Sequence, residues 1–166
     1  MGLEIVLEDL GSELCGFYEH STETIYINSR LPLRERRCTL VHELIHWERG
    51  HEPTDNLAVH TAREVEVDHE AARRLISFPQ LMWAVSYFGG GGAGAEVLDV
   101  DPGIYIARIL AMTRLEQVIF DVCVLQCIGI RSELALSAGD QPALLNLPRV
   151  VDERILDGKD KLVTAA

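Results

Sequence analysis

Thr39-Leu40-Val41-His42-Glu43-Leu44-Ile45-His46-Trp47 sets two histidines four residues apart, with a glutamate beside the first, inside an apolar run. On an α-helix residues four apart lie one turn above each other, so the imidazoles of His42 and His46 can converge on one ion. Leu40, Val41, Leu44 and Ile45 supply the apolar side that a helix packed on a core requires. This is the HExxH spacing of a zinc centre. Zn2+ accepts imidazole nitrogens at roughly 2.0 Å and, in a catalytic site, takes three protein ligands and leaves one position for water. The ion lowers the pKa of that water, and Glu43 is placed to take its proton and later hand it to a leaving amine.

A third ligand is expected downstream, where carboxylates concentrate in Arg63-Glu64-Val65-Glu66-Val67-Asp68-His69-Glu70-Ala71-Ala72-Arg73-Arg74-Leu75-Ile76. Val67, Ala71, Arg74 and Leu75 recur at helical spacing and predict a buried stripe, while Glu64 and Asp68 stack one turn apart on another side. Glu64 is the preferred metal ligand. Asp68 is then placed to orient a ligand histidine through its free ring nitrogen. Glu66 projects about 160° away from Asp68 on a helical wheel and stands as the alternative third ligand.

The order of Gly16-Phe17-Tyr18, a second strand at Thr24-Ile25-Tyr26-Ile27-Asn28, an Arg-rich lead-in from Arg34 to Arg37, and then T-L-x-H-E-L-x-H-x-E-R-G-H and E-x-E-x-D-x-x-A-A-x-x-L-I resembles the ImmA/IrrE-type metallopeptidases of bacteria, phages and integrative elements. The likeness covers about residues 14 to 80. In that family the second motif typically reads E-x-E-A-(D/N)-x-F-A, which sets Glu64 on the first glutamate, Glu66 on the second and Asp68 on the Asp/Asn. Val67 replaces the small alanine and Glu70 the aromatic, so the third-ligand choice between Glu64 and Glu66 stays open. The resemblance implies an α+β, mainly helical, zincin-like domain with a small antiparallel sheet over the HExxH helix. It also implies a gluzincin-like endopeptidase that cleaves, or promotes cleavage of, helix-turn-helix repressors. The alternative function is an anti-repressor module that keeps the fold and inactivates a repressor by binding alone.

Composition fits this picture. A chain of 166 residues with 48% hydrophobic content can bury a sizeable core. Its net charge of -11 disfavours direct nucleic-acid binding, which needs clustered Lys and Arg, and suits a basic protein partner such as a DNA-binding repressor. The residues after position 94 hold seven Lys and Arg against eleven Asp and Glu, which argues against a DNA-reading role there. No targeting signal or membrane span is expected, and the four cysteines fit a reducing, cytoplasmic setting. Cys123 and Cys127 have helical spacing but no zinc-finger companions, and are read as buried small hydrophobes. Cys38, one turn before His42, is read either as simple packing or as a place where oxidation could disturb the site. His51, in the helix-exit segment Arg49-Gly50-His51-Glu52-Pro53, is a supporting candidate that can hydrogen-bond a tetrahedral intermediate. Gly50 reads as the residue that ends the helix. His20, His60 and His69 receive no role.

The organisation follows from breakers and periodicity. Residues 3 to 10 read as a short helix, and 14 to 19 with 24 to 28 as a hairpin. The edge of Thr24 to Asn28 is available for an extended substrate to add as a strand. Helices are predicted over 32 to 48, 58 to 76, 79 to 87, 102 to 111 and 114 to 127, the last two from Asp101-Pro102 and the capping box Thr113 to Glu116. Residues 1 to 88 thus read as the metallopeptidase domain, 89 to 94 as a Gly-rich flexible linker, and 95 to 166 as a C-terminal helical appendage, either separate or packed on the same domain, with a loop at Ser137 to Pro142 and a frayed end after Lys159.

Overall fold

A computed structural model describes residues 2–89 and 91–124. The expectations for the end of the 114 to 127 helix, for Cys127, for the loop at Ser137 to Pro142 and for the tail lie outside these residues. Three strands, β1 (Glu4–Glu8), β2 (Gly16–Glu19) and β3 (Thr24–Asn28), precede α1 (Leu33–Glu48), α2 (Leu57–Leu75), α3 (Phe78–Phe88), α4 (Gly92–Val97) and α5 (Pro102–Leu110). Residues 114–124 form a further helical stretch, α6. Helices dominate and the sheet is small, so the α+β class holds. No helix among the described residues is long and apolar enough to cross a membrane.

The sheet is mixed, with strand order β1-β3-β2. β2 and β3 form the expected antiparallel hairpin, with Tyr18 opposite Ile25. Residues 4 to 8 depart from the predicted helix: they pair parallel to β3, Ile5 opposite Ile25 and Leu7 opposite Ile27. The strand is largely solvated on both faces, so burial leaves no clean period in the sequence, and the ladder to β3 decides its conformation. One consequence corrects the substrate-edge expectation. β3 is the central strand, its ladder is occupied on both sides, and Ile25 and Ile27 are buried in the core.

α1 packs against β2 and β3 on one side and against α2 on the other. Ile45 of α1 joins Val67, Ala71 and Ala72 of α2 in one buried cluster. Arg74, expected in the α2 stripe, instead turns outward to Glu48 and Glu70, and Ala72 takes its place inside. α2 begins at Asn56, whose side chain accepts from the backbone N–H of Ala58 and Val59.

Part of the glycine-rich segment is helical. Gly92–Val97 is a helix, and Gly94 is buried because the Tyr105 ring lies on it: a Cβ there would stand 2.5 Å from the Tyr105 Oη. Tyr105 in turn donates to the Gly89 carbonyl. Ala95, Val100, Ile104 and Ala107 continue the cluster that holds Ile45 and Val67, so this part of the appendage shares the core of the preceding residues.

Arg108 locks α5 in place although it is only 2% exposed. Its Nε donates to the Ile76 carbonyl at the end of α2, its guanidinium reaches Glu116 at 2.6 Å, and it lies 5.9 Å over the Phe78 ring. Glu116 also accepts from the Thr113 backbone N–H, and its own backbone N–H donates to Thr113 Oγ1, the capping box that the sequence predicts. Burial pushes the Glu116 carboxyl up, but the Arg108 and Thr113 bonds outweigh it and hold it below its ordinary value. The folded value therefore lies under the unfolded one, and the stabilisation is present above the ordinary carboxylate range and lost as pH falls through the folded value. Glu116→Gln leaves a buried guanidinium uncompensated and is expected to cost about 3 kcal/mol in chemical denaturation at neutral pH. The deficit should shrink as acidification takes the native carboxyl through its lowered folded value and neutralises it. A deficit that does not change with pH would show that the charge is not the cause.

Candidate metal centre

The helical spacing of the sequence motif is realised on α1, and α2 crosses it so that side chains from two helices meet under the sheet. Nε2 of His42 lies 3.1 Å from Nε2 of His46 and 3.2 Å from Oε2 of Glu64, and Nε2 of His46 lies 3.4 Å from Oε1 of Glu64. Among the described residues this is the group of His, Cys, Asp and Glu side chains whose donor atoms converge to within 4.8 Å of one another.

These separations fit a four-coordinate ion. With ligand bonds of 2.0–2.1 Å, the edge of a regular tetrahedron is about 3.3 Å. The chemistry of the donors agrees. Asp68 Oδ1 is 3.0 Å from Nδ1 of His42, and an ionised carboxylate only accepts, so the proton sits on Nδ1 and the Nε2 lone pair points inward. Two inward-facing imidazole nitrogens and a carboxylate make a pocket for one positive charge. Burial disfavours a positive charge on His42, yet Asp68 and Glu64 overcome burial and push His42 up to about 10. Burial and the neighbouring His42 push His46 down to about 4. The residues present therefore suit a divalent ion such as zinc.

The other candidates separate cleanly. Asp68 lies against His42 Nδ1, not among the converging donors. Glu66 does not approach the cluster; its side chain is 72% exposed and pairs with Arg49 at 3.3 Å. Glu43 is 8% exposed, and burial first, with the Glu64 charge, raises its carboxyl to about 7, against the lowering effect of His42 and of a backbone hydrogen bond from Tyr18 in β2. His51 is not free in the cleft: its Nδ1 lies 3.1 Å from Nδ1 of His46. Cys38 is buried and accepts weakly from the Asp101 backbone N–H, a packing role. His60, given no role from sequence, stands one turn before Glu64 on α2 and is an electrostatic neighbour of both His46 and Glu64. Its i, i+4 spacing from Glu64 was the available signal.

The arrangement can hold a cation, orient one ligand histidine through Asp68, and present a buried carboxylate beside the cation. Residues 1–82 match the family model described as IrrE N-terminal-like domain, Peptidase_M78. No curated protein matches the chain. Through this N-terminal half, which contains β1 to β3, α1, α2 and every side chain of the cluster, the chain belongs to the ImmA/IrrE-type family of metallopeptidases.

Proposed function

We propose that the protein is a zinc-dependent endopeptidase that hydrolyses a peptide bond in a regulatory protein, with a DNA-binding helix-turn-helix repressor of a phage or mobile element as the substrate class. The observation that carries the enzymatic part is the convergence of His42, His46 and Glu64 to 3.1–3.4 Å with Glu43 buried beside them. A centre used only for binding has no need of Glu43, whose burial is costly for a charged group without a catalytic or paired role. The repressor class rests on family likeness, and the net charge of -11 complements a basic partner.

His42, His46 and Glu64 would hold the ion. When bound, it supplies Lewis acidity, which polarises a carbonyl and makes water a nucleophile near neutral pH. Glu43, with its carboxyl held near 7 by burial and Glu64, is suited to accept the proton of the attacking water and return it to the departing amine. Asp68 keeps the His42 proton on Nδ1 throughout. β2 is the sheet edge beside Glu43, since the Tyr18 backbone bonds to that carboxylate, and an extended substrate segment would add along Gly16–Glu19 rather than along β3.

Two measurements test this. Elemental analysis of protein purified without chelators should find about one zinc per chain, lost in Glu64→Ala and retained in Glu66→Ala. Retention in Glu64→Ala would remove the ligand assignment. Glu43→Gln should keep the zinc and slow cleavage of a repressor substrate by about 10²–10⁴-fold. Undiminished cleavage would sink the general-base role, whereas relief of repression by this variant in cells without cleavage would favour the anti-repressor reading.

A further inference from the structure

α1 ends in a two-bond cap of defined register. Arg49 is the last residue of helical conformation, Gly50 follows at φ +60, and the backbone N–H of Gly50 bonds to the Trp47 carbonyl while that of His51 bonds to the His46 carbonyl. This is the paired 5→2 and 6→1 pattern of a Schellman cap, which brings the side chain two residues past the helix against the one three residues before its end. Here those side chains are His51 and His46. A left-handed φ at position 50 is cheap only for glycine, so Gly50 fixes the register of the contact.

The meeting of the two rings is polar. They stand edge to face at 73°, centroids 5.0 Å apart, and they touch through nitrogen, Nδ1 to Nδ1 at 3.1 Å. A single proton serves that contact. For His46 to turn an Nε2 lone pair toward His42 Nε2 and Glu64, its proton must sit on Nδ1, which makes His51 Nδ1 the acceptor. His42 is held by the same logic, with Asp68 as the acceptor at its far nitrogen. A Schellman cap by itself asks only for an apolar contact at this place. An acceptor of hydrogen bonds there matches what a ligand histidine needs.

We propose that His51 is a positioning residue for the metal centre, accepting the Nδ1–H of His46 and so aiming the His46 Nε2 at the point where His42 and Glu64 converge. The role differs from contact with a reaction intermediate, and it rests on the metal-centre reading above. The helix cap supplies the geometry: the glycine that terminates α1 also sets the orientation of one ligand.

The test is zinc affinity of the full chain by competition with a chromogenic chelator, for the unaltered protein, His51→Leu and His51→Asn. Leucine keeps an apolar side chain for the cap and removes the acceptor. Asparagine places its Oδ1 where the histidine has Nδ1. His51→Leu should weaken zinc binding by about 10–100-fold, the usual effect of losing a ligand's outer partner, and His51→Asn should recover most of the loss. Thermal unfolding of the three metal-free proteins should coincide. Unchanged affinity in His51→Leu, equal loss in both variants, or a loss that tracks a lower metal-free midpoint would each overturn the proposal. An unaltered protein that binds no zinc would overturn the metal centre and this inference together, whereas normal zinc binding with an unaffected His51→Leu would overturn the inference alone.

Discussion

The close packing of α1 on α2 is the constraint on which the rest of the structure depends. The cluster needs two donors from one helix and a third from another within 3.1–3.4 Å, and no single helix can supply that. Ile45 against Val67, Ala71 and Ala72 sets the approach, and the small alanines let the second helix come near. Each side chain of the cluster stands within a few residues of a packing residue: His46 follows Ile45, and Glu64, with Asp68 that orients His42, flanks Val67. Packing and ligation are therefore read from neighbouring faces of the same helices. A substitution that pushed α2 outward by a fraction of an ångström would open the cluster before it disturbed either helix.

The surrounding elements serve that crossing from both sides. The sheet closes one side, with β3 buried at its centre and the backbone of β2 reaching Glu43. On the other side α5 packs on α2, and Arg108 ties α5 to the end of α2 and to the start of α6. Residues beyond the family match thus brace the helix that carries Glu64, which explains why the segment after the glycine run joins the core instead of standing off as a separate body. The glycines that suggest a hinge in the sequence are here partly a consequence of close packing, as Gly94 under Tyr105 shows.

What was legible in the sequence divides along physical lines. The HExxH pair is local, set by one turn of helix, and the structure brings it together as spacing predicts. Glu64 and Asp68 were legible because they share a face one turn apart, and the same periodicity sent Glu66 to the far side, toward Arg49. The capping signals at Asp101 and Thr113 were legible because caps are chosen by side chains within three residues. β1 was not, because its conformation comes from a ladder to a strand twenty residues away while its own side chains stay solvated. The contact of His51 with His46 needs the left-handed turn at Gly50 to be combined with ring chemistry, and no spacing rule alone joins the two.

His42 and His46, the two histidines proposed to hold the ion, are held in different ways, and this has a thermodynamic consequence. The partner of His42 is Asp68, 26 residues away on the other helix, whereas the partner of His46 is His51, five residues away across a cap that α1 makes with itself. One half of the cluster is thus built by secondary structure, and the other exists only when α1 and α2 are docked. Glu64 belongs to the docked half as well. An ion that requires all three donors binds the docked state and not the separated helices, so binding must stabilise docking by the same free energy by which docking strengthens binding. The carboxylates of α2 that raise His42 act across the same crossing, so positive charge on His42 favours docking too.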